Sequence, residues 1–195
     1  MRPARPVTPY HVRVMPELVR KLEHSFAAFD EDNDGYIQLT DLEERSKRFC
    51  VRFNETDSPK GIAALDGMRE HWRALVELTD TDNDGQISKA EFVAAVGAAL
   101  AESDSGFDRV FRPALAAGFA LADTNDDGHI GVEEFVAFMY LAGFSLAKAP
   151  RLFALLDANG DGKVSVDEWL TAFKTHYTEA TADLDLPANA FFGST

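Results

Sequence analysis

Four stretches of this chain set oxygen-bearing side chains at alternate positions within twelve residues. The fullest is Asp80 to Glu91, DTDNDGQISKAE. Asp80, Asp82 and Asp84 stand first, third and fifth, Gln86 seventh, Ser88 ninth and Glu91 twelfth. The chemistry open to such a pattern is coordination of a hard cation. Calcium takes about six to eight oxygens at roughly 2.3–2.6 Å, and a loop with an oxygen at every second residue can curl round it. The three aspartates supply carboxylates, Gln86 its backbone carbonyl and Ser88 a water. Glu91 is long enough to bind through both oxygens. Gly85, sixth, stands where the chain must turn sharply, a conformation costly for other residues.

The other three stretches repeat the pattern with differences. Asp30 to Asp41, DEDNDGYIQLTD, offers Asp30, Asp32, Asp34, the Tyr36 carbonyl and Asp41. Its twelfth residue is one methylene shorter than Glu. That acid either reaches a cation with one oxygen or requires the loop to tighten. Six-fold coordination suits magnesium better than calcium, so this site is expected to be weaker for calcium or more tolerant of magnesium. Asp123 to Glu134, DTNDDGHIGVEE, offers Asp123, Asn125, Asp127, the His129 carbonyl and Glu134, with Gly131 leaving the ninth place to water. Asp157 to Glu168, DANGDGKVSVDE, offers Asp157, Asn159, Asp161, the Lys163 carbonyl, Ser165 through water and Glu168. One such loop can arise by chance in an acidic segment. Four with Gly sixth, Ile or Val eighth, a carboxylate twelfth and a large apolar residue next (Leu42, Phe92, Phe135, Trp169) are not explained that way. Up to four calcium ions are therefore expected.

Helices must hold these loops. Leu18, Leu22, Phe26 and Phe29 recur at helical spacing from Pro16 into the first loop. An exit helix is expected over about Leu42 to Phe53, then a polar break at NETDSPKG. Entering and exit helices follow around the second loop, about Ile62 to Thr79 and Ala90 to Ala101. The segment ESDSG, from Glu102 to Gly106, reads as a midpoint break. The third loop is flanked by helices over about Asp108 to Ala122 and Glu133 to Ala142. Ser145 is read as the N-cap of the next helix, and a last helix reaches about Tyr177. The eighth residues should pair the loops, Ile37 with Ile87 and Ile130 with Val164, as two-residue antiparallel strands. The expected fold is all-α. Two lobes, 16–101 and 107–177, each bury the apolar helix faces of a loop pair, with an irregular arm over 1–15 and a tail over 178–195 packing on the core.

Composition narrows the function. The chain has 195 residues and a formal net charge of −14, so no basic surface for nucleic acid is evident. Fifteen Phe against four Tyr and two Trp point to an aromatic core. The single cysteine, Cys50, excludes an intrachain disulfide and reads as a buried small hydrophobe. The beginning has basic residues without an apolar run, unlike a secretory signal. The most apolar run, Phe135 to Ala147, is about thirteen residues, too short to span a membrane. A soluble cytoplasmic monomer is expected. The five histidines are scattered, and no nucleophile–base spacing suggests an enzyme.

The loop pattern is that of the EF-hand superfamily. Loop starts at 30, 80, 123 and 157, the segment FRPALAAGFALADTNDDGHI and the terminal NAFFG resemble sarcoplasmic calcium-binding proteins, bacterial calerythrin and the coelenterate luciferin-binding proteins. That resemblance implies a compact helical body with lobes face to face and the tail closed over the core. It also implies a calcium buffer or signal modulator. Two alternatives stand beside it: a calcium-triggered sensor exposing a groove to a protein partner, and a calcium-gated carrier of an apolar small ligand. Met1, Met15, Met68 and Met139 are few for an adaptable sensor groove, which favours the buffer. Loop two is the most complete of the four, whereas the second loop is commonly degenerate in such relatives.

Overall fold

The structure, a computed structural model, describes residues 15–102, 104–141 and 145–178. Eight α-helices lie along them in four pairs, with one short strand inside each pair. Helix α1 (Pro16–Phe29) leads into the first acidic loop, β1 (Tyr36–Ile37) lies within it and α2 (Leu39–Phe53) leaves it. Helix α3 (Pro59–Thr79), β2 (Ile87–Ser88) and α4 (Lys89–Glu102) repeat that order. So do α5 (Asp104–Ala122), β3 (His129–Gly131) and α6 (Val132–Leu141). A 3-10 turn (Leu146–Lys148) precedes α7 (Ala149–Leu156), β4 (Lys163–Ser165) and α8 (Val166–Thr178). The expected irregular arm and apolar tail lie outside the described residues, save Met15 and Thr178 at their inner ends.

Local chemistry sets the helix starts. Pro16 occupies the first turn of α1, where a missing amide costs nothing. Pro59 does the same for α3, and the Ser58 hydroxyl caps it by accepting the Gly61 amide at 3.0 Å. This cap starts α3 inside the NETDSPKG segment, three residues before Ile62, so the polar break is shorter than its composition suggests. Likewise α5 starts at Asp104, within the expected midpoint break. Gly106 lets it pack on the end of α4, because a Cβ there would stand 2.1 Å from the Ala99 carbonyl oxygen. The reading of Ser145 is corrected. Its hydroxyl makes no capping hydrogen bond; its carbonyl instead accepts the Lys148 amide at 3.1 Å in the 3-10 turn. Helix α7 starts only at Ala149, with Pro150 in its first turn.

The loops pair as expected. β1 and β2 are antiparallel with Ile37 opposite Ile87, and β3 and β4 place Ile130 opposite Val164. All four of these side chains are buried completely. The second pairing is one residue longer than expected, adding Gly131 opposite Lys163.

One contiguous core joins the two halves. It runs from Leu22, Phe26 and Phe92 through Phe111 and Phe138 to Trp169 and Tyr177. Phe53 of α2 meets Phe138 of α6 at 5.7 Å between ring centroids, and Phe111 stacks on Tyr177 at 4.6 Å. The Ser25 and Tyr177 hydroxyls share a hydrogen bond of 2.7 Å, and Arg52 donates to the Leu141 carbonyl at 2.9 Å. Helix α3 crosses α5 closely at Gly67, where an added Cβ would lie 3.2 Å from the Ala117 methyl. Cys50 is buried, as its apolar surroundings suggest. No helix among the described residues is long and apolar enough to cross a membrane.

Candidate metal centres

Each loop opens where a helix runs out. The first aspartate donates its amide to the last turn, as Asp30 does to the Phe26 carbonyl at 2.9 Å. Its side chain then organises the turn by accepting the amide of the sixth-position glycine. Gly35 donates to Asp30 at 3.1 Å, Gly85 to Asp80 at 3.1 Å, Gly128 to Asp123 at 2.9 Å and Gly162 to Asp157 at 2.9 Å. These glycines have φ of 94°, 80°, 81° and 82°, the region that favours glycine.

The remaining oxygens are aimed by the backbone in a repeating ladder. The third residue accepts the fifth amide: Asp32 from Asp34 at 3.1 Å, Asp82 from Asp84 at 3.3 Å, Asn125 from Asp127 and Asn159 from Asp161 at 2.8 Å. The fifth accepts the seventh amide: Asp34 from Tyr36 at 2.9 Å, Asp84 from Gln86 at 2.8 Å, Asp127 from His129 and Asp161 from Lys163 at 2.9 Å. The twelfth accepts the ninth amide: Asp41 from Gln38 at 2.7 Å, Glu91 from Ser88 at 3.0 Å, Glu134 from Gly131 and Glu168 from Ser165 at 2.9 Å. Thus one ladder of backbone amides onto side-chain oxygens recurs in all four loops.

Several partners had no clear signature in the repeat. Where Glu is twelfth, its other oxygen reaches back to the loop's second residue. Glu91 accepts the Thr81 amide at 3.1 Å and hydroxyl at 2.9 Å; Glu134 does so from Thr124 at 3.0 and 2.9 Å; Glu168 accepts the Ala158 amide at 3.1 Å. In loop one the ninth residue, Gln38, donates its side-chain amide to Asp34 at 3.1 Å. Lys163, expected to act through its carbonyl, also sends its ammonium to Asp127 at 3.1 Å.

The donor set fits a cation. Carboxylate oxygens of Asp30, Asp32 and Asp41 lie within 4.8 Å of one another, as do those of Asp80, Asp82 and Asp84. One oxygen of Asp30 is buried and accepts no hydrogen bond. A buried carboxylate oxygen left so is costly unless a positive charge meets it. Burial, helped by the charges of Asp32 and Asp30, pushes the Asp41 carboxyl up. Glu91 is instead held down at about 2, chiefly by the Ser88 amide and hydroxyl and then by Thr81. Glu168 is held down chiefly by the Ser165 amide.

The EF-hand domain-pair model matches residues 19–97 and 112–174. A calcium-binding protein of Oryza sativa subsp. japonica is 37% identical over 79 residues, 40% of this chain and 44% of that relative, so the match spans less than half of it. A Streptomyces coelicolor calcium-binding protein, whose structure is described as the basis of prokaryotic calcium-mediated regulation, is 31% identical. The likeness covers 83% of this chain and 98% of that one, with a TM-score of 0.69. The amphioxus sarcoplasmic calcium-binding protein superposes with a TM-score of 0.72 at 18% identity, over 89% of this chain and 96% of that chain. The coelenterazine-binding protein of Renilla muelleri does so at 0.61 and 24%, over 91% and 96%. The last two share the fold.

Proposed function

The chain belongs to the EF-hand family, and from that premise we propose that it is a calcium-triggered regulator whose two loop pairs act as its sensing units. It is a calcium-binding protein rather than an enzyme. Between the buffer, expected from the resemblance and the few methionines, and the sensor, the bacterial relative's role in calcium-mediated regulation favours the sensor. The observation that carries calcium binding is the buried Asp30 oxygen, which accepts no hydrogen bond amid the converging carboxylates of Asp32 and Asp41.

The proposed ligands are the first, third, fifth and twelfth side chains and the seventh carbonyl of each loop, four sites in all. The Asp30–Asp41 site is the weaker or more magnesium-tolerant one. Lobes 16–101 and 107–177 are the proposed units, coupled through Ile37–Ile87 and Ile130–Val164, in a cytoplasmic monomer. A shared core supports the sensing role, since two lobes packed on common side chains cannot rearrange separately. Calorimetric titration with calcium, alone and in excess magnesium, beside binding of an apolar dye, tests the reading. Four sites, with dye binding that rises with calcium, are expected. No heat would refute calcium binding; heat with constant dye binding would return the buffer.

A second reading rests on one observation. A small apolar hollow, partly open to solvent, lies among Phe29, Phe49, Met68, Leu115, Phe138 and Trp169. Its lining, rather than its size, suits an apolar aromatic compound released on calcium binding. A coloured or fluorescent species co-purifying with the calcium-free protein would favour this carrier role.

A further inference from the structure

Loop three differs from the others in what holds it from outside. The fourth residue of each loop has positive φ: Asn33 at 59°, Asn83 at 59°, Asp126 at 61° and Gly160 at 73°. Asn and Gly tolerate that region well; Asp is the one acid among them. Asp126 has a partner in the other lobe. The Lys60 ammonium lies 2.9 Å from its carboxylate and also donates to the Asp123 carbonyl. Lys60 sits in the first turn of α3, where the helix dipole disfavours a cation. Its side chain is only 18% exposed, although Asp126 is 76% exposed. The lysine is thus held against the opening of a metal loop 63 residues away in sequence, at a place its own helix does not favour.

We propose that Lys60 is a positioning residue that weakens cation binding in loop three and ties the state of that loop to α3 of the other lobe. The inference rests on loop three binding calcium. A fixed ammonium on the Asp123 carbonyl opposes a second positive charge among Asp123, Asn125 and Asp127. Lys163 already brings one cation to Asp127 from the paired loop. Lys60 adds another from outside the pair. Rearrangement of the loop on filling must move its anchored end, and the ammonium carries that movement to the start of α3.

The sixth-position glycine amides of the four loops give separate reporters in amide NMR spectra of the full chain titrated with calcium. Replacing Lys60 by Met or Gln is expected to move the Gly128 midpoint to lower calcium by about three- to tenfold. Gly35 and Gly85 should stay within about twofold, and Lys60→Arg should keep the parent midpoint. In the parent, the Gly61 amide at the start of α3 should shift together with Gly128, and in the neutral variants it should not. A Gly128 midpoint that is unchanged or raised, an equal shift in all four loops, or a Gly61 response that persists would overturn the proposal. A Gly128 amide that ignores calcium in the parent itself would overturn the loop-three reading beneath it.

Discussion

Asp41 reaches back to accept the Gln38 amide at 2.7 Å, the closure that Glu91 makes on Ser88 at 3.0 Å with a side chain one methylene longer. The shorter arm has an effect across the loop. Glu91 spends its second oxygen on Thr81, whereas an oxygen of Asp41 lies within the cluster of Asp30 and Asp32. Asp34 meanwhile is held by Gln38 and is not part of that cluster. Loop one therefore gathers its first, third and twelfth acids, whereas loop two gathers its first, third and fifth.

Asp41→Glu should strengthen calcium binding in loop one about tenfold and reduce its tolerance of magnesium. The Gly35 amide, followed in a calcium titration with excess magnesium, measures this. A midpoint unmoved by the extra methylene would remove the twelfth acid from the account of loop one.

Glu91→Ala should remove one calcium from the stoichiometry and weaken loop one as well. The neighbour responds because Ile87 and Ile37 share a strand pairing. Calorimetric titration counts the sites. Unchanged stoichiometry and affinity would show that Glu91 is not a ligand.

Ile87→Ala leaves the ligands in place and hollows out the pairing. Ile87 is wholly buried, so unfolding should cost about 2–5 kcal/mol less. Cooperativity between loops one and two should fall with it. Chemical denaturation and the steepness of the calcium titration report the two effects.

Acid should destabilise the calcium-free protein before its carboxylates titrate. His71 is wholly buried. Burial pushes its pKa from 6.5 down to about 4, with the Val110 backbone opposing that push without offsetting it. His176 is also lowered to about 4, first by burial and then by the Lys21 ammonium. The unfolded chain takes up these protons as pH falls through 6.5, and the folded chain does not until about 4. Stability is therefore complete above pH 6.5 and is lost towards pH 4, by roughly 3 kcal/mol for His71. Urea unfolding in chelator at pH 7 and pH 5 measures the slope. His71→Leu should flatten it, and an equal slope in that variant would assign the loss elsewhere.

The acidic loops were legible because their chemistry is local. A ligand at every second residue and a glycine at the turn are facts of one twelve-residue segment, and so is the Ile37–Ile87 pairing. Ser58 could have been read as a cap: it precedes Pro59 just as a helix begins. Ser145 misled because a serine before an apolar run resembles a cap, while the turn after it is governed by backbone hydrogen bonds. Lys60 and Gln38 left little trace. A lysine in a first turn and a glutamine in a loop are ordinary, and their partners depend on how distant segments pack.

At Gly67 the α3 backbone comes so near α5 that no side chain stands between it and Ala117. Side chains between helices act as spacers that can change rotamer and absorb motion. Here none intervenes, so the helices can slide along or rock about their contact but not draw apart without exposing it. A change in the tilt of α3 is passed to α5, which enters loop three. Should calcium tilt either helix, this contact requires the other to follow.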